Sequence, residues 1–181
     1  LLALKTGVRL GELAALRWCD IDFEEKTMMV RDAVHRVNTS EEAGGKKTTM
    51  IFEGTKSYYS ERNIPMNHEI YTLLKGYEAI LSVKGEFVFL SKKGSFIDPR
   101  VYQTYFADVL KNAGIKKRNF HILRHTFATR AASKNMQLAV LSRLLGHSNI
   151  TVTLKSYIHP LTEQDRIEMN KLSEIPIDKE K

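Results

Sequence analysis

The spacing of apolar residues changes twice along this chain, and that change restricts the fold more than any other feature. Leu2, Leu4, Val8, Leu10, Leu13 and Leu16 recur at roughly helical spacing, with Thr6-Gly7 interrupting them. Two helical pieces meeting at a glycine corner are expected. Residues 21–37 (IDFEEKTMMVRDAVHRV) instead alternate apolar and polar, which predicts strands: one around 27–30, extending towards Val37. Residues 38–47 (NTSEEAGGKK) are polar with a Gly-Gly pair, so they form a loop or hairpin tip. Residues 48–53 resume the strand pattern. Together these runs predict a long β-hairpin, with residues 56–65 closing the sheet.

From Pro65 onward helical spacing returns. Ile70, Leu73, Leu74, Tyr77 and Leu81 share one face of a helix over 67–81, and EFVFL (86–90) reads as a short strand. Asp98-Pro99 is a helix start, with Asp as N-cap and Pro in the first turn. That helix carries Val101, Tyr105, Phe106, Val109 and Leu110, and Gly114 can stop it. Further helices are expected over 120–134, 137–145, 150–158 and 162–172, with Gly146 as a C-terminal cap and 173–181 as a flexible tail. The pattern predicts a mostly helical α+β domain with one small antiparallel sheet inserted near the N-terminus. No linker divides it, so 1–181 reads as a single domain. The opening LLALKTGVRL is already helical in pattern, which suggests an internal start downstream of other domains.

No apolar run is long enough to cross a bilayer. Cys19 is the only cysteine, so no internal disulfide can form, and no Cys or His stands near it at zinc spacing. A reducing cytoplasm fits, and a buried structural thiol is the expected role for Cys19. The net charge of +7 points, without specificity, to a polyanionic partner.

If that partner is DNA, the chemistry prescribes what to seek. A phosphodiester under nucleophilic attack gathers negative charge on its non-bridging oxygens. Guanidinium groups suit it because they stay charged and grip two oxygens at once. The leaving alkoxide needs a proton and the nucleophile must lose one. The densest candidate is His121-Ile122-Leu123-Arg124-His125, where His121 and Arg124 fall on one helical face. His147 follows the helix stop at Gly146, which predicts an exposed imidazole. Tyr157 comes ten residues later, Arg9 sits in the glycine corner, and Lys56 ends the hairpin. Each also has an ordinary reading. Tyr157 could be a core or surface residue, the histidines caps or core, Lys56 a solvated turn residue. Arg9 could simply pair with Glu12 three residues on. Spacing alone gives a basic nucleic-acid-binding domain.

Four segments carry a more specific likeness. TGVRLGELAALRWCDID (6–22), TKSYYSERNIP (55–65), HILRHTFAT (121–129) and LLGHSNITVTLKSYIH (144–159) resemble, in order, the first box, the hairpin lysine segment, the His-x-x-Arg box and the closing tyrosine box of the tyrosine recombinases, or phage integrases. The resemblance spans nearly the whole chain. It implies that Arg9 and Arg124 clamp a scissile phosphate and that Lys56 protonates the leaving 5′-oxygen. His121 and His147 would bind the phosphate and assist proton transfer. Tyr157 would attack to give a 3′-phosphotyrosine. Glu12 would support the site and His125 would be structural.

Physical chemistry agrees with those roles. A free tyrosine titrates near pH 10, so forming phenolate at pH 7 costs roughly 4 kcal/mol, which transition-state stabilisation must offset. No carboxylate cluster suggests a metal site, and no cofactor is implied; cationic side chains take the place of metal ions. The phosphotyrosine retains the energy of the broken bond, so rejoining needs no ATP.

The resemblance further implies double-stranded DNA attachment sites as partners, a tetramer on DNA with exchange of C-terminal tails, and absent upstream DNA-binding domains. By itself this chain is expected to be a monomer that binds DNA weakly and with strong salt dependence. Lys46, Lys47, Lys92, Lys93, Arg100, Lys116, Lys117 and Arg118 are the candidate DNA-contacting residues. The stretch between Arg9 and Lys56 is longer than in compact family members, as in integrases of conjugative transposons. Its excess, about 30–53, either contacts DNA or a neighbouring protomer or is a tolerated surface insertion. A mobile-element integrase is therefore the first reading. A dimer resolvase of the same chemistry, a catalytically silent DNA-binding module and a type IB topoisomerase-like enzyme are the alternatives.

Overall fold

The computed structural model describes residues 1–38, 48–54, 61–81, 85–147, 149 and 170. Two short helices open the chain, α1 (Leu2–Thr6) and α2 (Leu10–Ala15). Gly7 ends α1 in the left-handed region at φ 68°. A β-carbon there would lie 2.5 Å from Phe127 and 2.9 Å from Leu145, so the corner needs glycine for space as well as for backbone angle. A 3₁₀ turn (Trp18–Asp20) leads to β1 (Ile21–Asp22), β2 (Thr27–Val30), β3 (Asp32–Asn38), β4 (Thr48–Gly54) and β5 (Arg62–Pro65).

The strands form two antiparallel sheets, where the sequence predicts one. β1, β2 and β5 make a three-stranded sheet in that order, and among the described residues β3 pairs with β4 alone. The hairpin runs from Asp32 opposite Gly54 to Asn38 opposite Thr48. The division falls at Arg31, which is exposed and reaches back to Asp20 at 2.6 Å. Beyond it the alternation slips phase: Met28 and Val30 are buried, then Ala33 and Val34 together. Residues 86–90 are not a strand either. They make single bridges, Phe87 with Arg17 and Leu90 with Phe96, while Val88 N–H donates to Leu16 O at 2.9 Å.

Helices α3 (His68–Ile80), α4 (Pro99–Asn112), α5 (Ile122–Ser133) and α6 (Leu138–Leu145) follow. Asp98 caps α4 as expected, accepting from Arg100 N, and Asn67 caps α3, accepting from Ile70 N. Asp98 also binds Arg36, which ties the hairpin to the start of α4. The buried face of α4 is Tyr102, Phe106 and Leu110, packed on Phe120 and Phe89. Of the five apolar residues named for this helix, Val101, Tyr105 and Val109 face outward, while Phe106 and Leu110 turn inward with Tyr102. The outward three form one i,i+4 stripe and the inward three the stripe beside it.

The main core gathers Leu2, Val8, Leu13 and Leu16 from the first helices, Met28 and Ile64 from the larger sheet, and Ile70 and Leu74 from α3. Cys19 is exposed, contrary to the buried role expected. The 3₁₀ turn sends Trp18 and Asp20 inward and Cys19 outward, against Arg31 at 3.4 Å. Among the described residues, no helix is long and apolar enough to cross a membrane. The helices expected over 150–158 and 162–172 and the tail at 173–181 lie almost wholly outside the described residues.

Candidate active site

The last turn of α6 organises the site. The final carbonyls of a helix have no partner within it and carry the negative end of its dipole. Here three consecutive carbonyls each accept from a different arginine. Leu144 O accepts from Arg62 Nε at 2.6 Å, Leu145 O from Arg124 Nη2 at 2.6 Å, and Gly146 O from Arg9 Nη2 at 3.2 Å. Gly146 takes the left-handed conformation at φ 66°, and the chain turns straight into His147, whose N–H returns to Ser142 O at 3.1 Å.

The arginines arrive from separate parts of the chain. Arg9 precedes α2 at the glycine corner, where its own N–H donates to Glu12 Oε2 at 2.8 Å and its Nη1 to Glu12 Oε1 at 2.8 Å. Arg124, buried in α5, also donates to Gly7 O at 2.8 Å, so it joins that corner to the end of α6. Arg62 lies on β5 and grips both oxygens of Glu12, at 3.1 and 2.8 Å. Glu12 is thus shared between two guanidinium groups. The side chain of Arg9 is 38% exposed and that of Arg62 only 3%, so Arg9 can reach a ligand and Arg62 cannot.

These charges set the ionisation of their neighbours. Burial alone would raise the Glu12 carboxyl, but the Arg62 bonds and charge, then Arg9, outweigh it and hold it at about 2. The His147 imidazole is pushed down to about 4 by burial first, then by Arg124, Arg9, Arg62 and His121. His121 is lowered by burial, then by His125, Arg124 and Arg9. The rings of His121 and His125 meet edge-on at 4.8 Å. A site this cationic favours neutral imidazoles until an anion enters.

Arg9, His121 and Arg124 line one cleft of about 270 Å³ with Gln103, Asn119 and Phe120. The last three also border an open cleft of about 680 Å³ that Arg100, Lys117 and Arg118 line. Lys116 borders a neighbouring depression with Lys117. Lys92 and Lys93 stand exposed on a separate turn and line none of these. His147 is half-buried rather than exposed as expected. Lys46, Lys47, Lys56 and Tyr157 lie outside the described residues. Among the described residues, no group of three or more His, Cys, Asp or Glu side chains could hold a metal.

Arg62 was not among the residues the sequence singled out. The signal was there in the alternation of β5, where Arg62 and Ile64 fall on the same buried face. An inward-facing arginine needs a buried partner, and Glu12 is it.

Known proteins share this arrangement of the chain. The model of the phage integrase family matches residues 1–164. The chain is 34% identical over 177 residues to a XerC-like tyrosine recombinase of Caldanaerobacter subterraneus subsp. tengcongensis, covering 91% of this chain and 45% of the relative. It is 30% identical to the transposase from transposon Tn916 of Enterococcus faecalis, covering 96% of this chain and 44% of that protein. It therefore spans under half the length of these relatives. Among solved structures, the Tn1549 transposon integrase in complex with circular intermediate DNA superimposes with a TM-score of 0.78 at 28% identity, over 94% of this chain and 57% of that one. XerA recombinase gives 0.66 at 26% identity, over 97% and 55%. The chain belongs to the phage integrase family, the tyrosine recombinases.

Proposed function

We propose that residues 1–181 are the catalytic domain of a mobile-element integrase that cuts and rejoins DNA without metal or ATP. The observation that carries this is the convergence of Arg9, Arg124 and His121 on one cleft beside His147, in a chain of this family. In this reading the two arginines hold the non-bridging oxygens of the scissile phosphate. Tyr157 Oη attacks phosphorus as its proton departs. The bond from phosphorus to the 5′-oxygen breaks, and Lys56 supplies the proton that oxygen takes. A 3′-phosphotyrosine and a free 5′-hydroxyl result, and the reverse attack reseals the strand. Neutral His121 and His147 can donate a ring N–H to the phosphate oxygens and take up a proton at the other ring nitrogen. Glu12 holds Arg9 in place.

The groove bordered by Arg100, Lys117 and Arg118 continues from the phosphate cleft through Gln103 and Asn119, which supports a path for the DNA backbone there. The mobile-element reading draws on the long β3–β4 hairpin and on the higher structural likeness to a transposon integrase than to XerA. A dimer resolvase of the same chemistry is the second reading, favoured by the XerC-like relative. The intact protein would act in the cytoplasm on double-stranded attachment sites. It would work as a tetramer, completed by upstream DNA-binding domains and by tail exchange.

The test is a nicked suicide substrate carrying the attachment site, incubated with the full-length protein in EDTA. A covalent protein–DNA adduct in wild type and none in Tyr157→Phe is the expected result. An adduct that persists in Tyr157→Phe means another nucleophile. No adduct from wild type on a verified site means a non-catalytic DNA-binding module.

A further inference from the structure

Arg62 cannot touch DNA, yet it is built into the site from three sides. Its fork holds both oxygens of Glu12, its Nε holds Leu144 O, and its Nη1 lies 2.8 Å from where a β-carbon on Gly146 would stand. Gly146 is thus fixed twice: Arg62 occupies the space a side chain there would need and Arg9 binds its carbonyl. His147 comes next in the chain. The same guanidinium therefore fixes the carboxylate that orients Arg9 and the turn that presents His147.

We infer that Arg62 is a positioning residue for strand transfer, holding Arg9 and His147 in register through Glu12 and the end of α6. This rests on the strand-transfer reading above. A planar fork is required because three bonds leave the guanidinium at fixed angles, and lysine offers only a point charge. Losing Arg62 would leave the Glu12 carboxyl buried with Arg9 as its remaining charged partner among the described residues. Its protonation would then move up towards working pH, and Arg9 would lose its anchor as the solution is acidified.

The experiment compares wild type, Arg62→Lys and Arg62→Gln in the full-length protein. Single-turnover cleavage of the suicide substrate, DNA affinity and thermal unfolding are measured for each. Arg62→Lys should cleave about 100-fold more slowly, with DNA affinity within about threefold and a folded circular-dichroism spectrum. Arg62→Gln should add an acid limb to its cleavage profile at a pH where wild type shows none. A merely structural residue would lower the unfolding temperature and leave the folded fraction cutting with wild-type rate and profile; that result overturns the assignment. If Arg62→Gln does not fold, the rate of Arg62→Lys decides alone. A second arm needs no cleavage: the imidazole resonances of His147 should move in Arg62→Lys while those of exposed His68 stay. If wild type forms no adduct, the strand-transfer reading fails, and unmoved His147 resonances would then separately overturn the positioning role.

Discussion

Glu12 is buried between two arginines, so its charge belongs to the fold as much as to the site. Its carboxyl titrates near 2 in the folded chain, against 4.5 for an unperturbed group. A depressed acid stabilises the folded state above the unfolded value and loses that contribution as pH falls through the folded one. For Glu12 this is on the order of 3 kcal/mol, present above about pH 4.5 and lost towards pH 2. His147 acts in the same direction at higher pH. Its neutral form is favoured down to about 4, so acidification from 6.5 already weakens the folded state, less strongly because the ring is half in solvent. Thermal unfolding followed against pH should show a plateau above 6.5, a shallow decline below it and a steeper one below 4.5. Glu12→Gln should remove the steep limb while costing about 3–5 kcal/mol at neutral pH, because Arg62 is left buried without its carboxylate. A steep limb that survives in that variant would place the acid sensitivity elsewhere.

At the scale of elements, the facing of α4 shows where sequence stops short of structure. The caps, the spacing and the stop of this helix were all legible, because each depends on local chemistry: Asp98 before Pro99, and Gly114 at its end. Which face turns inward depends on Phe120 and Phe89, which sequence spacing cannot place. Tyr102, Phe106 and Leu110 and the neighbouring set Val101, Tyr105 and Val109 are equally good apolar stripes. The same limit explains the sheets. Alternation identified β2, β3 and β4, but a phase slip at Arg31 is a tertiary event that reads in sequence as one continuous run. The facing of α4 has a measurable outcome. Leu110→Ala should cost about 2–5 kcal/mol, whereas Val101→Ser should change stability by no more than about 0.5 kcal/mol. Equal costs in chemical denaturation would mean that α4 does not turn Leu110 inward and Val101 outward.

At the scale of the whole molecule, the site is made of contacts between residues far apart in the chain. Gly146 lies 137 residues from Arg9, Gly7 lies 117 from Arg124, and Leu144 lies 82 from Arg62. Arg9, His121, Arg124 and His147, which the structure brings together, could be singled out in the sequence because their motifs are local. Arg62 was not singled out, because its role exists only once β5, α2 and the end of α6 meet. Arg9 and Arg62 also share two supports, Glu12 and one helix end, and this makes their losses overlap. Arg9→Ala and Arg62→Ala should each slow cleavage severely, and the double variant should be faster than the product of the two effects allows. The expected coupling is about 0.5–3 kcal/mol in a double-mutant cycle. Strictly multiplicative rates would show the arginines to be independent. Overlap of this kind has a bearing on descent. A lineage that loses Arg9 or Arg62 has little left to defend in the other, so the pair should pass down intact or decay together.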